Sequence, residues 1–327
     1  MIPTLEERLA ACRALIQEHF QHLVSQDDPP ELYEPMRYAL AQPGKQLRPT
    51  LLLLCAEAAG GRMEQALDAA LAIEVIHTFT LVHDDIMDHD ELRRGRPTVH
   101  RRWDENVALL AGDGLLVLGY ALLARLEPRR VPEILQLYSS AILEICEGQA
   151  LDKAFETRSE ISLESYYRMI HKKTGRLFAL ACEAGAILGG GDAGTVAALG
   201  TYGAMVGRAF QLQDDLLDVL GDEKTIGKDV GSDLEENKKT FLITHARGTA
   251  SPGQRERLNE LTAARPLTRE RLAEIIALFN EIGSISAAHA EIGRSLQAAR
   301  IALSPLPQNA ASRDLTSLLE TIAGRTF

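Results

Sequence analysis

Two groups of acidic residues with identical spacing are the part of this sequence best suited to carry chemistry. The runs from Asp84 to Asp88 and from Asp214 to Asp218 both read D-D-x-x-D, and each closes a long apolar segment. Residues four apart share a face of an α-helix, so Asp84 lies beside Asp88 and Asp214 beside Asp218. Like charges at this spacing repel and lie at the unfavourable end of the helix dipole. The arrangement weakens a helix unless a cation compensates the charge.

The cation that fits such carboxylates is small and hard. Grouped carboxylate oxygens suit Mg²⁺, which binds a few carboxylates together with waters and phosphate oxygens. A single run of this kind is commonly a solvated helix end, but two copies, each closing an apolar helix, make coincidence a poor explanation. A bundle that turns both runs inward would hold several Mg²⁺ ions around a polyanion. The predicted metal ligands are Asp84, Asp85, Asp88, Asp214, Asp215 and Asp218.

Basic residues flank both acidic runs, as a metal-bound diphosphate requires. Arg offers a fork of donors for phosphate oxygens, and Lys offers a mobile point charge. Taken singly, each is more simply a surface charge or, for His77, a core histidine, so the prediction depends on the whole set. The set comprises Lys45, Arg48, His77, Arg93 and Arg94 around the first run, Lys172 and Lys173 in a mid-chain helix, and Lys228, Lys238 and Lys239 after the second run.

The elements that must position these residues are predicted to be helices. Ala and Leu fill the long segments, which favours helices over strands, and glycine and proline clusters mark the breaks. The predicted helices cover residues 4–25, 30–41, 48–59, 63–88, 104–126, 131–156, 162–189, 193–220, 235–247, 253–263, 268–302 and 311–323.

The sequence predicts one all-α domain over residues 1–327. Length alone would suggest two domains, but no break is long or polar enough to be a linker. Helices 63–88 and 193–220 are apolar over most of their circumference until their last turns, which is typical of helices in the middle of a bundle. The two acidic runs therefore close the two central helices.

Composition and charge narrow the function classes. The chain is 46% hydrophobic and 25% charged, which excludes disordered, collagen-like and coiled-coil proteins, and its net charge of −11 argues against nucleic-acid binding. The N-terminus is acidic, and the most apolar segment, Val107 to Ala124, contains Asp113 and is predicted to be a buried helix. We therefore expect a cytoplasmic protein without integral membrane segments. Its cysteines are expected to be reduced core residues: Cys12, Cys55, Cys146 and Cys182.

One segment that looks like a nucleotide-binding phosphate loop is rejected. Between Gly221 and Lys228, five residues rather than four separate the two glycines. Asp229 also stands where such a loop needs Ser or Thr, and the segment follows a helix rather than a strand.

In order along the chain, these motifs resemble those of the trans-isoprenyl diphosphate synthases, the chain-elongating prenyltransferases. The resemblance covers about residues 35 to 245. The matching motifs are G-K-Q-L-R-P (44–49), L-V-H-D-D-I-M-D (81–88), R-R-G-R-P-T (93–98), K-T-G (173–175) and F-Q-L-Q-D-D-L-L-D (210–218).

The resemblance implies a fold, a cofactor and partners. The fold is the isoprenoid synthase type I fold, a single orthogonal helical bundle around a deep central cavity, usually as a homodimer. The cofactor is Mg²⁺, three ions per active site, for which Mn²⁺ substitutes. The substrates are isopentenyl diphosphate and an allylic diphosphate, which condense by ionisation, addition and loss of a proton.

The resemblance also implies a role for each matching residue. Mg²⁺ at the allylic diphosphate would be held by Asp84, Asp85, Asp88 and Asp214, supported by Asp215 and Asp218. The same diphosphate would be contacted by Arg93, Lys173, Gln211, Lys228 and Lys238. Isopentenyl diphosphate would be bound by Lys45, Arg48, His77 and Arg94. Dipoles of Thr174 and Gln211 would lie near the developing cation. Two departures from the family pattern, Asp229 for Pro and Asn237 for Gly, put loop shape in doubt rather than activity.

Product length is predicted to depend on Phe79. This residue lies five positions before Asp84, roughly 7.5 Å back along the helix, where a bulky ring could form the floor of the cavity. In the family, an aromatic residue here resembles short-chain synthases, particularly those that make the C20 product geranylgeranyl diphosphate. Phe79 could also be an ordinary core residue, and the neighbouring Thr80 and Ile76 leave farnesyl and C25 products open.

Three other functions fit the sequence less well than a synthase does. A class I terpene cyclase also uses D-D-x-x-D, but it would leave the second run and the set Lys45, Arg48 and His77 unexplained. A non-catalytic partner subunit is expected to lack one acidic run or its bases, and this chain keeps all of them. A structural Ca²⁺-binding protein is disfavoured because no EF-hand-like loop is present.

Overall fold

The computed structural model describes residues 4–41, 44–221, 230–263 and 265–324, whose regular secondary structure is helical apart from one short hairpin. The first part contains α1 (Leu5–Phe20), α2 (Pro30–Leu40), α3 (Leu47–Ala58), α4 (Met63–Met87), β1 (Leu92–Arg93), β2 (Arg96–Pro97), α5 (Val99–Arg102), α6 (Glu105–Leu123) and α7 (Val131–Glu156). The second part contains α8 (Leu163–Ile170), a π-helical turn (His171–Gly175), α9 (Arg176–Leu188), α10 (Ala193–Leu220), α11 (Ser232–Glu235), α12 (Phe241–Thr249), α13 (Pro252–Ala263), α14 (Arg269–Ile282), α15 (Ser284–Ala302) and α16 (Ala310–Ala323). The predicted all-α class is confirmed.

The chain forms two compact units. Unit 1 comprises Met1–Ser140, Leu177–Thr201 and Ala302–Leu318. In it, α4 packs against α3 and α6, and every residue of α4 from Ala69 to Ile76 is buried, as its apolar circumference predicts. Unit 2 comprises Ala141–Arg176, Tyr202–Ile301 and Leu319–Phe327, and in it α12 packs against α8 and α14. The first acidic run belongs to unit 1 and the second to unit 2; a single domain over 1–327 stays a prediction.

Two predicted helices are wrong because left-handed residues interrupt them. The predicted helix 268–302 is two helices, divided at Gly283, whose φ of +85° ends α14. The predicted helix 235–247 is also divided: α11 ends at Glu235, Asn237 turns the chain at φ +60°, and α12 begins at Phe241. Glycine and asparagine tolerate this backbone region, which other residues rarely adopt.

The segment after the first acidic run forms a hairpin that the sequence did not predict. Leu92 pairs with Pro97 and Arg93 with Arg96, in antiparallel register. Arg94 and Gly95 connect the strands at φ +53° and +76°, the signature of a tight two-residue hairpin turn. The hairpin therefore presents Arg94 at its tip and fixes the direction of Arg93.

Helix α6 is helical as predicted, but it is not fully buried, so the prediction of a buried helix over Val107 to Ala124 is wrong in this respect. Val117 is 67% exposed and Leu110 is 58% exposed. Both α4 and α6 are long and apolar enough to cross a membrane by length and composition alone, a test that core helices of soluble proteins also pass. The exposed apolar face of α6 lies on the surface of unit 1.

Three of the four cysteines lie in the core as predicted. Cys12, Cys55 and Cys182 are buried, whereas Cys146 is exposed on α7, so the core prediction is wrong for that residue.

Candidate active site

The first acidic run occupies the last turn of α4. Asp88 caps the helix, and its N–H donates to the Asp84 carbonyl oxygen at 2.8 Å. Asp85 is buried, whereas Asp84 and Asp88 are partly exposed. The hairpin brings Arg93 to Asp85, with 2.5 Å between Nη2 and Oδ1, and to Asp90 at 3.0 Å. The middle aspartate of this run is therefore held by a guanidinium.

A pocket in unit 1 opens beside this run. It gathers four of the predicted site residues, His77, Asp85, Arg93 and Arg94, and Glu74 also lines it. Arg48 reaches the pocket wall, with its Nη1 3.1 Å from His77 Nε2. Burial, and then the charges of Arg48 and Arg94, hold the pKa of His77 well below its ordinary value. Because a guanidinium can only donate, Nε2 of the neutral imidazole accepts this bond.

The G-K-Q-L-R-P motif meets the hairpin at Gly44. A Cβ atom placed on Gly44 would lie 2.4 Å from Nη2 of Arg94, so the missing side chain makes room for the guanidinium. The structure therefore brings Arg48, His77 and Arg94 together, and their binding of isopentenyl diphosphate stays a prediction. Lys45 lies on the exposed loop before α3 and is not among the residues that line the pocket in the described part of the chain.

The second acidic run occupies the last turns of α10 and is held differently. Asp215 is buried and accepts hydrogen bonds from Tyr166 Oη at 2.7 Å, Gln211 Nε2 at 3.0 Å and the Phe241 backbone N–H at 2.7 Å. Burial, followed by the charge of Asp233, raises the pKa of Asp215 to about 6. Protein donors from α8, α10 and α12 thus converge on this one carboxylate.

Asp218 is also engaged by the protein. It accepts from Ser232 Oγ at 2.8 Å and from the Asp233 N–H at 3.3 Å. Burial, followed by Asp233, raises its pKa to about 7. Asp218 therefore ties the end of α10 to the start of α11.

A pocket in unit 2 gathers several other predicted side chains, namely Lys173, Thr174, Gln211, Asp215 and Lys238. Thr174 Oγ1 donates to Gln211 Oε1 at 2.7 Å, and Lys173 Nζ lies 2.6 Å from Asp152 Oδ2. Lys238 Nζ lies 2.7 Å from Glu236 Oε2 and faces the same pocket. The remaining polar lining comprises Tyr166, Asp215, Asp233, Lys239 and Thr240.

The K-T-G motif lies in the π-helical turn between α8 and α9, which was predicted to be regular helix. A π-turn inserts a residue into a helix and is frequent at functional sites. A Cβ atom on Gly148 of α7 would lie 2.3 Å from the Lys173 backbone nitrogen, so this glycine permits the close approach of the π-turn to α7. The turn therefore sets the positions from which Lys173 and Thr174 reach the pocket.

The loop after the second run is described only in part. Lys228 and Asp229 lie outside the described residues. Asn237, the predicted departure from glycine, takes the left-handed conformation that glycine favours and asparagine tolerates. Its carbonyl oxygen accepts from Lys239 Nζ at 2.8 Å.

The donor set of the two runs fits a divalent cation that arrives with a ligand. Among the described residues, no three His, Cys, Asp or Glu side chains form a ready metal-binding group. Mg²⁺ in proteins is commonly held by one or two carboxylates together with phosphate oxygens and waters. Carboxylates beside basic pockets meet that requirement once a diphosphate supplies the other oxygens.

Phe79 is buried on α4, with its ring edge-on to His83 at 4.8 Å between ring centroids. His83 in turn lies against Gly112 of α6, where a Cβ atom would approach its Nε2 to 2.2 Å. Phe79 therefore packs beside a residue of the α4–α6 interface, and its role as a cavity floor stays a prediction.

Sequence reasoning missed several polar residues of the two pockets. Glu74 is buried within an apolar stretch of α4, and a lone acid in such a stretch is a signal that could have been used. Asp152, Tyr166 and Asp233 gave no signal, because each meets its partner only through the tertiary fold.

Comparisons of sequence and of structure both match this chain to prenyl diphosphate synthases. A family model described as polyprenyl synthetase matches residues 29–279. A short chain isoprenyl diphosphate synthase of Methanothermobacter thermautotrophicus is 40% identical over 312 residues, which is 95% of each chain. A geranylfarnesyl diphosphate synthase of Natronomonas pharaonis is 39% identical, over 99% of this chain and 98% of its own.

The fold is shared with a solved structure. The crystal structure of a geranylgeranyl pyrophosphate synthetase from Pyrococcus horikoshii matches with a TM-score of 0.92 and 39% identity, over 98% of this chain and 99% of that one. The predicted isoprenoid synthase fold is thereby confirmed.

Proposed function

This chain belongs to the polyprenyl synthetase family, and we propose that its main product is the C20 geranylgeranyl diphosphate. Its relatives are prenyl diphosphate synthases, so the chain is a trans-prenyltransferase that condenses isopentenyl diphosphate with allylic diphosphates. One observation carries the assignment to particular residues: each D-D-x-x-D closes a helix beside a pocket lined with basic side chains.

The family is metal-dependent, and the proposed metal is Mg²⁺, three ions per active site, with Mn²⁺ able to substitute. The proposed ligands are Asp84, Asp85, Asp88 and Asp214, and Asp215 and Asp218 are proposed to support them. When bound, the metal would neutralise charge on the allylic diphosphate and on the departing pyrophosphate.

In this proposal the second pocket and Arg93 hold the allylic substrate. Lys173, Lys238 and Arg93 bind its diphosphate and stabilise the charge that accumulates as the C–O bond ionises. The partial negative charge on the oxygens of Thr174 and Gln211 stabilises the allylic cation. Lys228, outside the described residues, is proposed to join them.

The first pocket is proposed to hold isopentenyl diphosphate. Arg94 and Arg48 supply the planar donors that diphosphate oxygens need, and Lys45 adds a flexible charge from the loop before α3. Neutral His77 donates through its free ring nitrogen while Arg48 holds the other. The double bond of this substrate attacks the cation, and a proton is then lost to pyrophosphate. Exclusion of water by apolar walls would protect the cation.

The test is incubation with Mg²⁺, isopentenyl diphosphate and, separately, C5, C10 and C15 allylic diphosphates, followed by product chromatography. We expect elongation from all three primers to C20. The absence of elongation with every primer would contradict the proposed function. A product that stops at C15, or that continues to C25, would contradict the proposed chain length alone.

The floor is tested by Phe79→Ala. We expect products longer than C20, because removing the ring lengthens the space available to the growing chain. Phe20→Ala is the matched control, since Phe20 is similarly buried in unit 1 on another helix. An unchanged product from Phe79→Ala would assign Phe79 to plain packing.

The protein is proposed to be a homodimer through α6. The exposed apolar face of this helix, with Val117 and Leu110, is suited to a second copy of the same face. Val117→Lys is expected to shift the molecular mass in solution to that of one chain. Ile301→Lys, at a similarly exposed side chain on α15, is the control that should leave the dimer intact.

A cytoplasmic location without integral membrane segments is proposed as well. The support is that α4 packs inside unit 1 and that α6 carries the proposed dimer face. Fractionation of expressing cells, with the protein recovered in the salt-washed membrane pellet, would contradict it.

A further inference from the structure

Three donors converge on Asp215 from separate parts of unit 2. Tyr166 Oη and the Phe241 N–H both reach Oδ2 at 2.7 Å, and Gln211 Nε2 reaches Oδ1 at 3.0 Å. The same amide of Gln211 continues to Thr174, whose Oγ1 lies 2.7 Å from Gln211 Oε1. A continuous chain of hydrogen bonds therefore runs from buried Tyr166 to the π-turn.

The direction of every hydrogen in this chain follows from its two ends. A backbone N–H can only donate, so the Asp215 carboxylate accepts at Oδ2. At Oδ1 the carboxylate would repel an amide oxygen, so Gln211 turns its NH₂ group there and its oxygen towards Thr174. The hydroxyl hydrogen of Thr174 must then point at that oxygen. The lone pairs of Thr174 are thereby left to face the pocket.

We propose that Asp215 is a positioning residue for the chemical step rather than a metal ligand, with Tyr166 as its anchor. By fixing the amide of Gln211, it commits the Thr174 hydroxyl hydrogen and presents oxygen lone pairs to the allylic cation. This role rests on the proposed function, since Gln211 and Thr174 act on an allylic cation only if the pocket of unit 2 takes an allylic diphosphate. The two runs are then unequal: in the second, protein donors hold Asp215, and the proposed metal ligand is Asp214.

The substitution Asp215→Asn reverses the direction of the hydrogen bonds from position 215 to Thr174 and leaves a side chain of the same size in place. The oxygen of the new amide still accepts from Tyr166 and Phe241, but its NH₂ group now donates to the Gln211 oxygen. Gln211 must flip, and its own NH₂ group then donates to Thr174, whose hydrogen turns towards the cation. We expect kcat to fall by about 100-fold, of the order seen when one preorganised dipole is lost, with KM and the Mg²⁺ concentration for half-maximal rate changed less than about threefold.

Tyr166→Phe should reproduce a smaller part of this loss, about tenfold in kcat, because it removes one of the bonds that hold Asp215. Tyr167→Phe is the matched control, since its ring stacks on Arg208 outside the pocket lining. Equal kinetics for Tyr166→Phe and Tyr167→Phe would overturn the anchoring role of Tyr166.

A double variant supplies the rescue. When Gln211→Glu is combined with Asp215→Asn, the carboxylate introduced at position 211 accepts from both the amide NH₂ group at position 215 and the Thr174 hydroxyl. The original direction of the hydrogen bond at Thr174 is thereby restored. We expect kcat at least about tenfold above that of Asp215→Asn alone. The double variant does not restore a carboxylate at position 215, so a metal ligand lost there would not be recovered in this way. An absence of rescue would therefore overturn the proposed role of Asp215 in orienting Gln211 and Thr174.

Calorimetric titration with Mg²⁺ and inorganic pyrophosphate gives a readout that does not depend on turnover. Asp215→Asn should keep the wild-type affinity within about threefold, while Asp214→Asn should lose at least about tenfold. Equal losses in the two variants would make Asp215 a metal ligand and overturn the proposal. A wild-type chain that elongates no primer would contradict the proposed function itself, whatever the calorimetry shows.

Discussion

The two acidic runs have the same sequence pattern and opposite surroundings. In the first, the buried middle residue Asp85 is paired with Arg93, a long side chain on a hairpin. In the second, the equivalent Asp215 is held by a tyrosine hydroxyl, an amide and a backbone N–H, all on packed helices. A guanidinium on a hairpin can exchange partners when a ligand arrives, whereas a backbone N–H cannot. Identical motifs therefore need not have identical roles.

The two pockets also differ, in the charges of the side chains that line them. The pocket of unit 1 is dominated by cations, with Arg93 and Arg94 in its lining and Arg48 at His77. In the pocket of unit 2, lysines alternate with carboxylates, as in the pair of Lys173 with Asp152. In the proposed function, the first pocket would bind the diphosphate that stays intact, and the second would hold the diphosphate that leaves.

The largest expected effect is a loss of turnover when an aspartate of the first acidic run is replaced. Asp84→Ala should lower kcat by about 1,000-fold or more, because a metal-bound diphosphate loses a ligand where charge develops. The fold should remain, since Asp84 is partly exposed and its removal relieves repulsion with Asp88. Asp68→Ala, on the same helix at similar exposure, is the control; steady-state kinetics and circular dichroism measure both variants. Comparable kinetics for the two variants would remove Asp84 from the metal site.

The next effect is on stability and separates the two middle aspartates. Asp215→Ala should lower the free energy of unfolding by about 3 kcal/mol, because it leaves buried donors on Tyr166, Gln211 and Phe241 without an acceptor. Asp85→Ala should cost about 1 kcal/mol, because Arg93 keeps its pairing with Asp90. Urea unfolding without metal measures both. Equal losses would erase the proposed difference between the runs.

The assignment of the two pockets to two substrates predicts a split in KM. Arg94→Asn should raise KM for isopentenyl diphosphate about 30-fold, equivalent to about 2 kcal/mol for a charge-assisted contact, with little change for the allylic substrate. Asparagine is chosen because position 94 has a left-handed backbone that alanine adopts poorly. Lys238→Met should show the opposite pattern. Variants that each raise both KM values alike would contradict separate sites.

The smallest expected effect is a pH dependence in the first pocket. The pKa of His77 is held well below its ordinary value by burial and the neighbouring guanidiniums, so the folded protein keeps it neutral. As pH falls below about 6.5, only the unfolded chain takes up this proton, and stability is lost. Between about pH 6.5 and about pH 5.5, wild type should lose about 1 kcal/mol more than His77→Gln.

Urea unfolding at several pH values measures this difference, and exposed His22→Gln serves as the control. A difference between wild type and His77→Gln that does not change with pH would mean that His77 titrates normally in the folded state.

The sequence by itself determined the helical class, the burial of α4 and the residues that flank both acidic runs. These features are local: helical periodicity, apolar content and i to i+4 spacing can be read within one segment. The helix caps at Ser162 and Thr268 are local in the same way, since each side chain accepts from a backbone N–H only three residues ahead.

The tertiary structure alone decided which of the chemically similar residues do different things. Nothing near Asp215 in the sequence indicates that it is buried beneath Tyr166, which lies 49 residues away, or that Asp152 pairs with Lys173, 21 residues away. The hairpin that aims Arg94 and the π-turn that carries Thr174 likewise depend on packing against other segments. Spacing fixes which side chains share a helix face, but the polarity and the partners of that face depend on contacts that only the folded chain makes.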